Sequence, residues 1–195
     1  LNTKVASVGD GIVTLDNGEV IEAAATVIAT EAPAAAKLLG TPETPKGVGV
    51  TCIYFSVPLA PLTDAVLILN GDGTGPINNI CFPTRIAPSY GPEGTDLASI
   101  TVLGTGHDAS ALLAEVREQL ADWFGREVDE WKHLATYEID YALPSQEPPA
   151  LTPAEREVRV RPGLYVCGDH IDTASIQGAM VSGGRAARAV IDDLQ

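Results

Sequence analysis

Cysteine, methionine and basic residues are all scarce in this 195-residue chain, and each scarcity excludes a class of protein. The three cysteines, Cys52, Cys81 and Cys167, are far apart. They have neither the CxxC spacing of a metal site nor the density of a disulfide scaffold, and they read as buried thiols of a reducing compartment. Lys and Arg number 12 against 26 Asp and Glu, a formal net charge of -14 at pH 7. A surface so acidic repels phosphate backbones, so no nucleic-acid partner is expected. Any anionic cofactor must be held by main-chain N–H groups and helix ends rather than by a basic patch. No apolar run approaches the ~18 residues of a membrane span, and the N-terminus lacks a signal-peptide pattern, so the expectation is a cytoplasmic chain. His107, His133 and His170 do not share metal-ligand spacing, and there is no Gly-x-Ser-x-Gly elbow. No metal site is expected, and no catalytic acid, base or nucleophile stands out. The single methionine is Met180, and the sequence opens at Leu1 within a strand-like stretch, so the chain reads as part of a longer protein.

What is present is ordinary globular material, 45% apolar and 19% charged. Residues 4–8, 11–15 and 19–21 read as strands, the last two joined through Asp16-Asn17-Gly18, a strong hairpin signal. Residues 25–29 read as a buried strand. A short helix follows, with Thr30 or Glu31 as its cap and Pro33 in its first turn. The Pro-rich stretch 41–45 marks a boundary. Beyond it, 49–57, 65–69, 78–82 and 97–103 are strand candidates rich in Val, Ile and Thr, which implies a mainly antiparallel sheet. Residues 109–124 form the clearest helix: Leu112, Leu113, Val116, Leu120 and Trp123 share one face, with Glu115, Arg117 and Glu118 largely opposite. Residues 134–141 return as a strand, where Tyr137 and Tyr141 suit sheet packing more than a substrate cage.

The C-terminal unit carries the chemistry. Leu164-Tyr165-Val166-Cys167 is a strand, Gly168-Asp169 a turn, and about 175–194 a helix. Ligands of open α/β sheets sit at the carboxyl ends of strands, where Gly168 admits a close ligand. Asp169 suits a polyol hydroxyl rather than a phosphate, since both carboxylate and phosphate are anionic. In the helix, Gly178, Ala179, Ser182, Gly183, Ala186 and Ala187 leave one face nearly bare. Helical glycines cost roughly 1 kcal/mol each against Ala, so a close strand or a flat ligand should repay them. His170 reads as a solvated loop residue.

Gly163-Leu164-Tyr165-Val166-Cys167-Gly168-Asp169, Ser175-Ile176-Gln177-Gly178-Ala179-Met180 and Ser182-Gly183-Gly184-Arg185-Ala186-Ala187 together resemble a known motif. It is the C-terminal flavin motif of the amine oxidase and phytoene desaturase superfamily, which includes protoporphyrinogen oxidases. Val5, the Asn17-Gly18 hairpin and Val27-Ile28-Ala29-Thr30 resemble its adenine-side strands, and Tyr141-Ala142-Leu143-Pro144 the segment returning from its substrate domain. The resemblance implies a mixed α/β fold in three stretches. Residues 1–40 are the second part of an FAD-binding domain, 41–159 a substrate domain with an antiparallel sheet and covering helix, and 160–195 the closing strand, turn and helix.

The resemblance also implies roles. Gly168 and Asp169 lie against the pyrophosphate and ribityl chain of FAD. The N–H of Ile176, between Ser175 and Gln177, faces an isoalloxazine carbonyl. Val5 contacts the adenine through its main chain, and Ala29 and Thr30 lie near the dinucleotide. The family opens with a strand, a G-x-G-x-x-G turn and a helix, and no such Rossmann unit precedes Val5. FAD is therefore expected in the full-length protein, which would take a hydride equivalent from a C–N or C–C bond of a small, hydrophobic substrate. The stretch alone is expected to lack flavin and activity and to self-associate through its truncated surface. The alternative is a non-enzymatic accessory chain that keeps the fold without flavin.

A second glycine turn competes for the cofactor. Gly104-Thr105-Gly106-His107-Asp108-Ala109 fits G-x-G-x-x-A between a strand and the best helix. Asp108 would repel phosphate there, and Asp108 or Ser110 serves better as a helix cap. A nicotinamide-dependent reductase built on this loop would also need a parallel strand that the sequence does not offer.

Overall fold

The computed structural model describes residues 2–42, 46–149 and 152–195, so most of the Pro-rich boundary expected at 41–45 lies outside the described residues. The chain divides into two compact units, Leu1–Gly47 with Leu143–Gln195, and Val48–Ala142. The segment 143–159, assigned from sequence to the middle region, thus clusters with the termini.

The first unit opens with an antiparallel meander of β1 (Val5–Val8), β2 (Ile12–Leu15) and β3 (Val20–Glu22). Gly18 closes the β2–β3 hairpin, and the Asn17 side chain accepts from Glu19 N at 2.9 Å. A second sheet contains β4 (Thr26–Ile28), which leads into α1 (Ala32–Leu39). No side chain caps α1: Glu31 occupies the N-cap position without a side-chain bond, and Thr30 Oγ1 donates to Glu31 O instead. Pro33 does stand in the first turn, where its missing N–H costs nothing.

The second unit is built on β5 (Gly47–Val57), β6 (Leu67–Leu69), β7 (Ile77–Cys81), β8 (Asp96–Leu103) and β9 (Lys132–Pro144), with a short helix α2 (Pro83–Ile86) and the long α3 (Ala109–Phe124). The strand order is β6-β7-β8-β5-β9, and β8 is antiparallel to both β5 and β7. Period-two alternation sorts the faces. Ile53, Phe55 and Val57 of β5 and Ala98, Ile100 and Val102 of β8 join one core, which Leu112, Val116 and Leu120 of α3 cover. Full burial of such side chains is worth roughly 1.5–3 kcal/mol apiece. The intervening positions are less enclosed, so Cys52 and Cys81 are only half-buried, and of the three thiols Cys167 alone is buried as expected. Tyr54 and Tyr137 lie in edge contact with each other at 6.0 Å, and Tyr137 is exposed.

Two polar residues of α3 behave differently from the expected pattern. Arg117 is not turned to solvent: it donates to Trp131 O at 2.9 Å and lies 5.0 Å from the Phe55 ring centroid. Gln119 is buried among the apolar residues, where its amide donates to Thr74 O at 2.7 Å and accepts from Ile77 N at 2.9 Å. These bonds tie the β6–β7 turn to the helix.

The chain returns to the first unit with β10 (Arg159–Arg161), β11 (Leu164–Val166) and α4 (Ile176–Leu194). The second sheet has the order β10-β11-β4, and β11 runs parallel to β4, pairing Val166 with Ile28. Tyr165 is fully buried and donates to Asp193, which also receives Arg159 at 2.6 Å, so α4 is fastened to this sheet near its end. Among the described residues no helix is long and apolar enough to cross a membrane.

Candidate functional site

Because β4 and β11 are parallel, the residues that follow them emerge on one edge. Ala29 and Thr30 follow β4, and Cys167, Gly168 and Asp169 follow β11, with Cys167 N donating to Ile28 O at 2.9 Å. A Cβ built on Gly168 would stand 3.5 Å from Thr30 O, so the two turns are side by side. Ala29 and Thr30 are exposed. Ala29, Thr30, Gly168 and Asp169, all singled out from sequence, thus share one edge. Ser175, Ile176 and Gln177 begin α4, whose residues pack on the same core as β11. Val5 lies in the meander sheet, paired with Leu15, while Val8 packs on that shared core.

The turn is held by a residue that sequence reasoning passed over as merely small. Ser182 is completely buried; its hydroxyl accepts from Gly168 N at 3.0 Å and lies 2.9 Å from Gly168 O and 3.0 Å from Ala179 O. The Gly168 N–H is thus committed inside the protein and is not a free donor for a ligand. A second fastening is Arg185, which donates to Ile171 O and Asp172 at 2.9 Å and to Arg156 O at 2.8 Å. Ser175 caps α4, accepting from Gly178 N at 3.0 Å. The helix itself offers no acceptor to the N–H groups of Ile176 and Gln177, which both lie exposed.

The small residues of α4 have two separate explanations. Gly178, Ser182 and Ala186 are its buried face. A methyl at Gly178 would collide with the Thr173 carbonyl, so a loop of the chain itself repays that glycine. Gly183 and Gly184 meet nothing within 4 Å. Gly168 likewise owes its lack of a side chain first to the protein. Its φ of 150° disfavours other residues, and a Cβ there would come within 2.6–2.7 Å of the His170 ring.

His170 corrects the expectation most sharply. Its side chain is 12% exposed, so it is packed rather than solvated. Burial pushes its pKa below the ordinary value of 6.5, against the opposing pull of the Asp169 carboxylate 3.7 Å away. Neither ring nitrogen has a hydrogen-bond partner among the described residues.

The competing loop is occupied by its own neighbours. Gly104 and Gly106 have φ of 85° and 78°. Gly106 N donates to the Glu138 carboxylate at 2.7 Å, and Gly104 O accepts from Thr51 Oγ1 at 2.9 Å. Asp108 caps α3, accepting from Ala111 N at 2.8 Å. The Ala111 and Ser110 hydrogen bonds hold the Asp108 carboxyl below its ordinary pKa, so it stays anionic. A phosphate would meet two carboxylates here, and β8 has no parallel neighbour. A cavity of about 430 Å³ beside His107 is bordered by Glu115, which suits an anion no better.

The sequence profile of the flavin containing amine oxidoreductase family matches residues 1–191. The chain belongs to that family. A search of curated protein sequences finds no match. Solved structures with the same fold include reduced UDP-galactopyranose mutase, with a TM-score of 0.69 at 13% identity over 98% of this chain and 47% of that one. An oxidoreductase from Methanosarcina mazei scores 0.65 at 16% identity, covering 95% of this chain and 48% of its own. Cyclohexylamine oxidase from Brevibacterium oxydans scores 0.61 at 13% identity, covering 98% and 48%. The chain therefore spans about half the length of these proteins. It is a mixed α/β portion of a flavin oxidoreductase-type fold.

Proposed function

We propose that this chain supplies the C-terminal share of an FAD site in an oxidoreductase that takes a hydride equivalent from a C–N or C–C bond of a small, hydrophobic substrate. The observation that carries the reading is the parallel β4–β11 pair, which sets Ala29-Thr30 beside Gly168-Asp169. Ligands of α/β sheets occupy such strand ends. The residues present fit a dinucleotide: Ala29 and Thr30 are exposed at the edge, and the N–H groups of the first turn of α4 have no acceptor within the helix.

Bound FAD supplies the redox chemistry through its isoalloxazine, and the protein supplies position and electrostatics. Asp169 accepts from a hydroxyl of the ribityl or ribose portion. The N–H of Ile176, between Ser175 and Gln177, donates to the isoalloxazine, Ala29 and Thr30 run beside the dinucleotide, and Val5 serves the adenine through its main chain. The Val48–Ala142 unit serves as the substrate-binding region.

The test is purification of the complete protein followed by anaerobic titration with amines and unsaturated hydrocarbons. The expected result is stoichiometric, non-covalent FAD that loses its yellow colour on mixing with one of these substrate classes. A complete protein that is colourless and takes up no added FAD overturns the reading in favour of an accessory chain.

A further inference from the structure

One face of the five-stranded sheet is covered by α3, and period-two alternation turns the intervening side chains the other way. The pairing register sets these side chains in rows. One row runs from Leu67 of β6 through Cys81 of β7 and Ser99 of β8 to Tyr54 of β5, with Tyr137 of β9 against the Tyr54 ring. Bulky groups stand at both ends and short ones between them. Beyond Leu69, the next row repeats the low floor with Asn79, Thr101 and Cys52. At about 4.8 Å per strand spacing, Leu67 and Tyr54 are roughly 14 Å apart across the sheet. Leu97 and Leu103 bound the floor along β8, roughly 20 Å apart.

This hollow carries no charge. Its positions on β5 (50, 52, 54, 56), β6 (67, 69), β7 (79, 81) and β8 (97, 99, 101, 103) include no Asp, Glu, Lys, Arg or His. Burial raises the Cys52 and Cys81 thiols above their ordinary pKa, so they are neutral as well. The polarity also runs opposite to that of a protein interface, which has an apolar centre and a polar rim. Here hydroxyl, thiol and amide groups form the centre, while Leu67, Leu69 and Leu103 stand exposed at the rim. Small-molecule sites, by contrast, are concave and mostly apolar with a few polar groups inside.

Resting on the FAD reading above, we infer that this sheet face binds the substrate, and that the substrate is a flat, uncharged molecule oxidised at a C–C bond. A simple amine is an ammonium at neutral pH, and removing water from an ammonium without a counter-charge is costly. A flat unsaturated ring system carries no such cost. It lies on the short side chains of the floor, with its edge against the tyrosine pair. In the reaction, adjacent carbons lose a hydride to oxidised FAD and a proton to water, which leaves a C=C bond and reduced flavin.

The experiment uses the complete flavoprotein with phenanthrene as a neutral fluorescent probe and aminomethylphenanthrene as its cationic counterpart. Ser99→Leu and Cys81→Leu fill the floor, and Ser99→Asp gives it a charge. Dissociation constants for both probes and for FAD are measured, together with the mass of each variant in solution. Wild type is expected to bind phenanthrene at least roughly tenfold more tightly than the ammonium. Each Leu variant should weaken phenanthrene binding roughly tenfold by overfilling the hollow, with FAD affinity unchanged. Ser99→Asp should reverse the preference between the probes. Under anaerobic conditions dihydrophenanthrene, and not the amine, should bleach the flavin. Equal or tighter binding of the ammonium by wild type overturns the inference, as does phenanthrene affinity unchanged in both Leu variants. Bleaching by the amine alone, or by neither compound, overturns the assignment to a C–C bond. A Leu variant whose mass in solution changes while phenanthrene affinity holds would show the face packed against protein instead. A colourless wild-type protein sinks the FAD reading, whereas a yellow one that prefers the ammonium sinks only this inference.

Discussion

The chain contains two strand, glycine turn, helix segments: β8 through Gly104 and Gly106 to α3, and β11 through Gly168 to α4. The first fits a dinucleotide fingerprint by pattern, and the second does not. Sheet direction reverses that ranking. β8 lies between antiparallel neighbours, so no neighbouring strand ends in the same direction beside it, whereas β11 runs parallel to β4 and shares its edge with Ala29 and Thr30. The internal partners differ in the same sense. A carboxylate, Glu138, occupies the Gly106 N–H, while a neutral hydroxyl, Ser182, occupies that of Gly168. The first arrangement ties a carboxylate to the glycine N–H itself, whereas at the second the carboxylate, Asp169, stands beside the glycine and a neutral group takes the N–H. A glycine pattern thus reports backbone freedom, and the surrounding sheet decides its use.

The largest expected effect separates the glycines of α4. Gly178→Ala should destabilise the fold by about 3 kcal/mol, since the methyl must displace the Thr173 backbone. Gly183→Ala, in open space, should stabilise the helix by up to about 1 kcal/mol. Urea unfolding of both variants checks this, and equal effects would dissolve the distinction between a packed and an open face.

A smaller contrast sets the two fastenings against each other. Ser182→Ala strands the buried N–H of Gly168 and should cost about 1–3 kcal/mol. Glu138→Ala exposes the Gly106 N–H to water and should cost under about 1 kcal/mol. Only the Ser182 variant should also loosen flavin in the complete protein. Loss of flavin from the Glu138 variant alone would exchange the roles of the two turns.

The smallest effect is a pH dependence. The folded-state pKa of His170 lies below its unfolded value, so the unfolded chain binds the extra proton first as pH falls below about 6.5. The stability contribution is present at neutral pH and lost on acidification through that range. The slope of stability against pH should flatten in His170→Phe, measured by chemical unfolding between pH 7 and roughly pH 5. An unchanged slope would mean that the ring is hydrated in solution.

The elements of this fold were legible where local chemistry decides them. The Asn17-Gly18 hairpin, the Asp108 cap and the apolar face of α3 all depend on neighbours within a few residues. The C-terminal turn was legible through its family motif. What escaped notice depended on partners distant in sequence. β10 has three residues, two of them Arg, and acquires its identity only by pairing with β11. Gln119 looks like a surface residue until the β6–β7 turn presents Thr74 and Ile77 to it. Ser182 reads as one more small residue in a helix, although its hydroxyl fixes a turn 14 residues earlier. His170 is the exception: the space its ring fills is left by Gly168, only two residues away, yet the sequence carries no sign of that packing.

The central claim is that flavin is held at the Gly168 turn and not at the Gly104–Gly106 loop. The most direct measurement is the FAD dissociation constant of the complete protein in three forms: wild type, Asp169→Ala and Gly106→Ala. The account predicts that Asp169→Ala weakens FAD binding by roughly 1.5–3 kcal/mol, the worth of a charge-assisted hydrogen bond. Gly106→Ala should lower only fold stability, by roughly 1–2 kcal/mol for its positive φ, and leave FAD affinity untouched. Affinity lost in Gly106→Ala and kept in Asp169→Ala would contradict the account.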